Sequence, residues 1–513
     1  MSAIIDPSTN PHSKIQRRQS PVSDELAASN LHPLLQQLYA NRGVKQLQQV
    51  SYSIKNLLDY TTLKGIDDAA DIIAAHVRQD KKIIVVGDFD ADGATSSALM
   101  VRALSLFGAM QVDFLVPNRF EYGYGLSPEI VALAAEQSPD LIITVDNGIS
   151  SIEGVAEANR RNIQVVVTDH HLPADTVPAA AAIVNPNQQG CDFPSKAMAG
   201  VGVAFYVMLA VRASLRRQQW FESDTFQGRV KGNNAEPNMA TLLDLVALGT
   251  VADVVPLDEN NRLLVELGLQ RIRQHRGCAG INALLTIAGK NIAACHSQDF
   301  GFAVGPRLNA AGRLEDMSLG IECLLSDDSE KAMALARQLD EINHQRKQIE
   351  GDMLSQALQV LESDELVNDI VGGDAGDGAC DGNSDDGANI AAGLALFHTD
   401  WHQGVVGLLA SRVKEKYHRP VFAFARAEEP GLLKGSGRSI AGLHLRDALD
   451  IMAKASPGLI LKFGGHAMAA GLSIEEKNFA LFKKMFDAIA GELLDANALT
   501  MVKETDGELS GDD

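Results

Sequence analysis

The sequence predicts an α/β protein of two α/β domains joined by a long helix, and three observations predict it. In the first half, β-rich apolar runs alternate with helix-like stretches, and each run ends in a cluster of polar residues. In the middle, residues 326–362 place apolar side chains at 335, 339, 342, 349, 353, 357 and 360, a helical period. Beyond a Gly/Asp-rich stretch, "ANIAAGLALFHT" opens a second β-rich run.

The elements follow in order. "KKIIVVG" is a β-branched run that reads as a buried strand. Behind it come "DFDADG" and a helix with apolar positions Leu99, Val101, Leu104 and Phe107. "DLIITVDNGIS" gives a strand ending at Asp146, followed by the helical "SIEGVAEANRRN". "IQVVVTDHHLP" gives a strand ending at Asp169, His170 and His171, and "AAIVNPN" supplies another. Strands and helices alternating at these lengths imply βαβ units and a parallel sheet. Ligands bind such sheets beyond the carboxyl ends of the strands, where all of these clusters fall. One more cluster follows a helical stretch, "TLLDLVALGTVADVVPL", with Asp253 behind a Gly-Thr break. At about 1.5 Å per residue, the helix over 326–362 would span roughly 50 Å, which suits a strut between domains.

The expected organisation is a disordered lead-in over 1–30, a first domain over 31–325, and the connecting helix over 326–362. Then come a disordered acidic insert over 363–389, a second domain over 390–480, and a C-terminal helix with an acidic tail over 481–513. No run of eighteen apolar residues occurs, so no membrane span or membrane partner is expected. The N-terminus lacks the pattern of a secretory signal. Five scattered cysteines, odd in number and without a CxxC pair, suit a reduced, cytoplasmic protein and argue against a zinc ribbon. A net charge of −21 weighs against nucleic acid only on average, because a local basic groove can bind phosphates on an acidic molecule.

Asp88, Asp90 and Asp92 crowd three carboxylates onto alternate positions. "DFDADG" fits the first half of an EF-hand loop, but the twelfth position is Leu99 and a strand stands where a helix is required, so that reading is excluded. Together with Asp146, His170 and Asp253, these aspartates form a carboxylate-rich set with one imidazole and no thiolate. Such a set suits Mn²⁺ or Mg²⁺. Two such ions about 3.5–4 Å apart clamp the attacking and leaving oxygens in phosphoryl chemistry. The cations explain why mutually repelling aspartates stand together.

"DADG", "VDNG", "DHH" and "GTVADVVPL", in this order, resemble the four motifs of the DHH phosphoesterase superfamily. "LLQQLYANRGV", "MAGVGVAFYVM", "GPRLNAAGRL", "WHQGVVGLLASRVKEKY", "GSGRS" and "GGHAMAAG" narrow the resemblance to RecJ-type exonucleases, from about residue 31 to about 475. The resemblance implies a 5′-to-3′ exonuclease acting on single-stranded DNA in repair and recombination. It implies a DHH domain and a DHH-associated domain with a catalytic cleft between them. Asp90, Asp92, Asp146, His170 and Asp253 would be metal ligands, with Asp146 bridging, and His171 would sit near the leaving oxygen. Where many members carry a ligand histidine, this sequence has Val86, and Asp88 is a further candidate ligand. Arg307, Asn309, Arg313, His402, Ser436, Arg438, Gly464, Gly465 and His466 would bind substrate. Single-strand-binding protein and a helicase are the implied protein partners. The OB-fold usual in the family is expected to be absent. The alternatives are a phosphodiesterase for short oligonucleotides or cyclic dinucleotides, and a non-catalytic replication scaffold.

Overall fold

The structure, a computed structural model, describes residues 13–117, 125–230, 235–362, 391–495 and 497–508. The insert expected over 363–389 lies outside the described residues. The chain forms two compact units, Leu47–His344 and a second composed of Met1–Gln46 with Gln345–Asp513.

In the first unit, five parallel strands form one sheet in the order Val112–Leu115, Ile83–Gly87, Leu141–Val145, Gln164–Thr168, Ala182–Val184. Alternate residues feed two cores: Ile83 and Val85 pack on one face, Ile84 and Val86 on the other. Burial on both faces is why these strands read as unbroken apolar runs. From Ile83–Gly87 the chain moves to one side of the sheet, then crosses to Leu141–Val145 on the other. That reversal opens a crevice at the carboxyl ends of the two central strands. Asp88 and Asp146 are the first residues past those ends. Helices Ala91–Leu106, Gly200–Arg217 and Leu243–Ala252 cover one face.

The second unit has a mixed sheet in the order Lys462–Gly465, Ala469–Glu475, Leu432–Arg438, Val421–Arg426, Leu394–Phe397. Only the last two strands are parallel. Phe422 and Phe424 pack edge-on against Phe482 and Phe486 of the helix Phe479–Leu493 in its core. The long helix is Ser329–Glu362, capped by Asp328, whose Oδ1 accepts from the backbone N–H of Glu330 at 2.8 Å and of Lys331 at 3.2 Å. The division between the units falls inside this helix. Its C-terminal half is tied to the second unit by Trp401 Nε1 donating to Gln356 at 2.9 Å and by Arg412 paired with Glu350 at 2.8 Å.

Two expectations about the ends need correcting. Residues 1–12 lie outside the described residues, but 13–30 are not a disordered lead-in. Ser13–Arg17 pairs in parallel with Met501–Thr505, and Asp24–Ala27 is helical. The expected tail over 481–513 therefore contains a strand, and residues 31–46 belong with the second unit. Arg42 binds both oxygens of Asp506, at 3.0 and 2.8 Å, and Arg18 pairs with Glu504 at 2.6 Å. The ordering comes from partners at the opposite end of the chain, which local composition does not display. Among the described residues, no helix is long and apolar enough to cross a membrane.

Candidate metal centre and phosphate-binding residues

The loop after Ile83–Gly87 is fixed by its own carboxylates. Asp90 caps the helix Ala91–Leu106, its Oδ1 accepting from Asp92 N at 2.9 Å and Gly93 N at 3.0 Å. Asp92 is 1% exposed and meets the start of a second helix: Oδ2 accepts from Gly200 N at 2.6 Å and Oδ1 from Val201 N at 3.0 Å. Orphan amides at a helix N-terminus favour an anion there, so Gly200–Arg217 holds one carboxylate of the cluster in place. Asn309 braces the loop from another side, with Oδ1 accepting from Ala91 N at 2.8 Å.

Asp146 follows Leu141–Val145 in the left-handed region, φ 62°. A non-glycine residue seldom sits there, and the turn is held by Asn147, whose Nδ2 donates to Val86 O at 3.2 Å and Val145 O at 2.9 Å. A methyl group on Gly200 would lie 2.6 Å from both Cβ and Oδ1 of Asp146. Glycine is required there for the helix and the carboxylate to meet.

The next strand delivers the histidines. Asp169 Oδ1 accepts from the backbone N–H of His170 at 2.7 Å and of His171 at 3.0 Å, and it lies 2.7 Å from His171 Nδ1. Its Oδ2 accepts from Ile149 N at 2.9 Å. Asn185 and Asn187 donate to the carbonyls of His171 and His170 at 2.9 and 2.6 Å. Asp253 arrives from the far end of Leu243–Ala252, whose Gly249 backbone abuts Thr95 and Asp92 closely enough that a methyl group would lie 2.7 Å from Asp92 Oδ1.

The result is one acidic cluster. The trios Asp88/Asp90/Asp146, Asp146/His170/His171 and Asp92/His170/Asp253 each offer donor atoms within 4.8 Å of one another. The first and third share no residue, so the set has donors for two ions. Burial and the neighbouring carboxylates, Asp92 foremost, push Asp146 well above the ordinary carboxylate range. The same causes raise Asp253 to about 9, and burial with the Asp90 charge raises Asp92 to about 7. Burial, with His171 next to it, lowers His170 to about 4, so its imidazole is neutral at pH 7. Burial would also lower His171, but the Asp169 hydrogen bond and charge outweigh it and raise the group. His170 Nε2 and Asp253 Oδ2 are buried, 3.5 Å apart, and make no hydrogen bond. A neutral imidazole lone pair aimed at carboxylate oxygens fits a divalent cation between them, and hard oxygen donors suit Mn²⁺ and Mg²⁺.

The residues expected to bind substrate fall in two places. Arg307 is 9% exposed and committed within its own unit, donating to Ala303 O at 2.7 Å and pairing with Asp340 at 2.8 Å. Arg313 is half-buried in the last turn of Gly305–Leu314. The others lie in the second unit. Register lines up Gly464, Gly471 and Ser436 across three strands, and Arg438 Nη1 donates to Ser436 Oγ at 3.2 Å and Gly437 O at 2.8 Å. The first turn of Val406–Tyr417 abuts this pair, since a methyl on Gly407 would lie 3.0 Å from Ser436 Oγ. His402 Nδ1 accepts from Gly404 N at 3.1 Å just before that helix. Gly465 and His466 close the strand Lys462–Gly465, with His466 N donating to Ala469 O at 2.8 Å.

Sequence reasoning left four residues out of the site: Asp169, Asn147, Asn185 and Gly200. Asp169 and Asn147 stand inside the motifs "DHH" and "VDNG", and Asn185 in "NPN", each directly behind a strand. That position was the available signal. Gly200 carried none, because its neighbour is Asp146.

Residues 82–250 match the DHH family, N-terminal domain, and residues 388–492 match the DHHA1 domain. The chain is 53% identical over 495 residues to the single-stranded-DNA-specific exonuclease RecJ of Dickeya dadantii, covering 96% of this chain and 81% of that protein. It is similar to the crystal structure of RecJ in complex with Mn²⁺ from Thermus thermophilus, with TM-score 0.75 and 30% identity, over 96% of this chain and 64% of that one. The complex of RecJ with Mg²⁺ from the same organism gives TM-score 0.68 and 28% identity, over 96% of this chain and 62% of that one. With both of its α/β units matched and its identity sustained along nearly its whole length, the chain belongs to the RecJ family of DHH proteins.

Proposed function

We propose that this chain is an Mn²⁺- or Mg²⁺-dependent exonuclease that hydrolyses phosphodiester bonds of single-stranded DNA from the 5′ end, in DNA repair and recombination. The observation that carries the proposal is the convergence of Asp88, Asp90, Asp92, Asp146, His170 and Asp253 at one crevice of the parallel sheet. Divalent ions bound there supply Lewis acidity to the phosphate oxygens and a lowered pKa to the attacking water. The chain's residues do the rest. Asp146 belongs to the first trio and its Oδ1 lies 3.1 Å from His170 Nε2 of the third, so it is assigned as the shared ligand. Neutral His170 offers a lone pair. His171, with Nδ1 against Asp169 and its pKa raised by that carboxylate, would hold a proton on Nε2 for the leaving oxygen.

Ser436, Arg438, His402, Gly464, Gly465 and His466 are assigned to the DNA backbone, where glycine allows close approach and arginine supplies a phosphate fork. In this reading Arg307 and Asn309 brace the metal loop and its helix, and Arg313 remains a phosphate ligand. The protein partners proposed are a single-strand-binding protein and a helicase, which protect and generate the substrate. Free Cys191, Cys278, Cys295 and Cys323 suit a reducing compartment, and we place the protein in the cytoplasm.

The test uses single strands labelled at either end, with Mn²⁺. Early release of the 5′ label as mononucleotide, with the 3′ label retained on shortening strands, is the expected result. Equal release from both ends, or activity unaffected by chelation, would overturn the reading.

A further inference from the structure

We propose that Phe302 is a base-stacking residue, the apolar face on which a nucleobase of the bound strand rests beside the metal centre; this rests on the reading above. Phe302 is 83% exposed, and among the described residues no other Phe, Tyr or Trp is half so exposed. Leaving a full ring in water is unfavourable, so a group that covers it would be held there.

Its surroundings say which. Phe302 stands in the five-residue π-helical segment Phe300–Val304, a rare geometry that frequently marks functional sites. The segment packs on the residues just before Asp253. A methyl on Gly301 would lie 3.6 Å from Val251 Cγ1, and one on Gly305 would lie 3.2 Å from Ala252 Cβ. On the other side of Asp253 stands Val254, 84% exposed and at φ 62°, a strained conformation for a β-branched residue. Two turns past Phe302, Asn309 reaches the acidic loop at Ala91 N. The segment bearing Phe302 thus borders the residues just before Asp253, and the helix that continues it reaches the loop of Asp88, Asp90 and Asp92.

A strand whose phosphodiester lies at that cluster must put unpaired bases on its flank. Every base has a π-face, so stacking on a phenyl ring grips a strand without reading its sequence. An exonuclease that must accept each successive nucleotide needs that kind of grip, whereas hydrogen bonds to base edges would favour one base.

The experiment compares metal-free protein, in chelator at one salt concentration, binding an oligo-dT strand and an abasic strand with the same number of phosphates. Wild type should prefer dT. Phe302→Ala should weaken dT binding by about 5- to 100-fold, leave the abasic strand unchanged, and keep the wild-type Tm. Phe302→Trp should retain dT binding. On cleavage, Phe302→Ala should raise KM with little change in kcat. A strand carrying 5-iodo-dU near its 5′ end should photocrosslink to Phe302. Equal losses on both strands, or none on either, would overturn the proposal, and the second result would leave Phe302 as a docking point for a protein. A wild-type chain that cleaves no strand would instead overturn the underlying functional reading.

Discussion

The two α/β units handle charge in opposite ways. In Leu47–His344 the parallel sheet collects five carboxylates and two imidazoles at one crevice, mostly buried, with several groups forced far from their ordinary protonation. In the second unit the mixed sheet offers a row of glycines beside one arginine and one serine, with no comparable cluster among the described residues. Parallel strands all end at the same edge, so chemistry concentrates there and the fold tolerates repulsion that a cation relieves. The glycines along these strands let a ligand approach the backbone closely, which suits grip without chemistry. The metal crevice of the first unit should therefore respond to mutation in kcat and metal affinity, and the glycine row of the second in KM and salt dependence.

The largest break in that contrast is Asp146→Ala. It should lower kcat with Mn²⁺ by at least about 10³-fold while the metal-free protein keeps or raises its Tm, because a repelled buried carboxylate is removed. Near-normal turnover would remove Asp146 from the metal centre. Next come two glycines with opposite surroundings. Gly200→Ala forces a methyl onto Asp146 and should weaken Mn²⁺ binding by about 10- to 100-fold, read by calorimetry. Gly464→Ala meets nothing within 4 Å, should fold normally, and should raise KM for the strand without altering Mn²⁺ affinity. Identical phenotypes from the two would dissolve the division of labour.

Protonation sharpens the same contrast. Asp92, Asp253 and Asp146 all have raised pKa values in the folded, metal-free chain. Their contribution to stability is complete below the ordinary carboxylate range and is lost as pH rises through about 7 for Asp92 and about 9 for Asp253. In chelator, Tm should fall by several degrees from pH 5 to pH 9. With Mn²⁺ the decline should shrink, since bound cations displace those protons. A metal-free Tm that rises over this interval would contradict the burial of the cluster.

Which parts of this were legible follows from how far each residue's partners lie along the chain. The strands Ile83–Gly87 and Leu141–Val145 announce themselves by unbroken β-branched runs, and the acidic residues behind them mark the crevice. Asp253 was visible because a polar residue ended an otherwise apolar helix. For Arg307 a structural salt bridge stood beside phosphate binding as a reading, but nothing in "GPRLNAAGRL" shows that its partner is Asp340 on the long helix. The strand Ser13–Arg17 was read as disorder for the same reason: its partner, Met501–Thr505, is the last strand among the described residues. Register with a remote strand is a tertiary fact.

On the second unit, Arg438→Ala tests grip directly. A lost phosphate contact should weaken binding about tenfold at low salt and flatten the salt dependence by about 0.7 in slope, with kcat unchanged. The measurement is a titration at four or five salt concentrations. A drop in kcat with an unaltered slope would move Arg438 from the DNA backbone to the chemistry.

The smallest expected effect is that of deleting residues 366–388. This stretch carries six aspartates and no lysine or arginine, and its glycines and aspartates offer little apolar surface to bury. The eight residues left between Glu362 and Leu394 could still span about 28 Å. Turnover should stay within about twofold of wild type and Tm should scarcely move, because loop length adds to chain entropy only logarithmically. Removing those charges lessens long-range repulsion of the strand, so affinity should rise slightly at low salt and the gain should vanish at high salt. A gain that persists in high salt would show the stretch competing for the DNA site itself. A large loss of Tm would mean that it packs into the second unit, and the acidic character of this chain would then need a structural explanation.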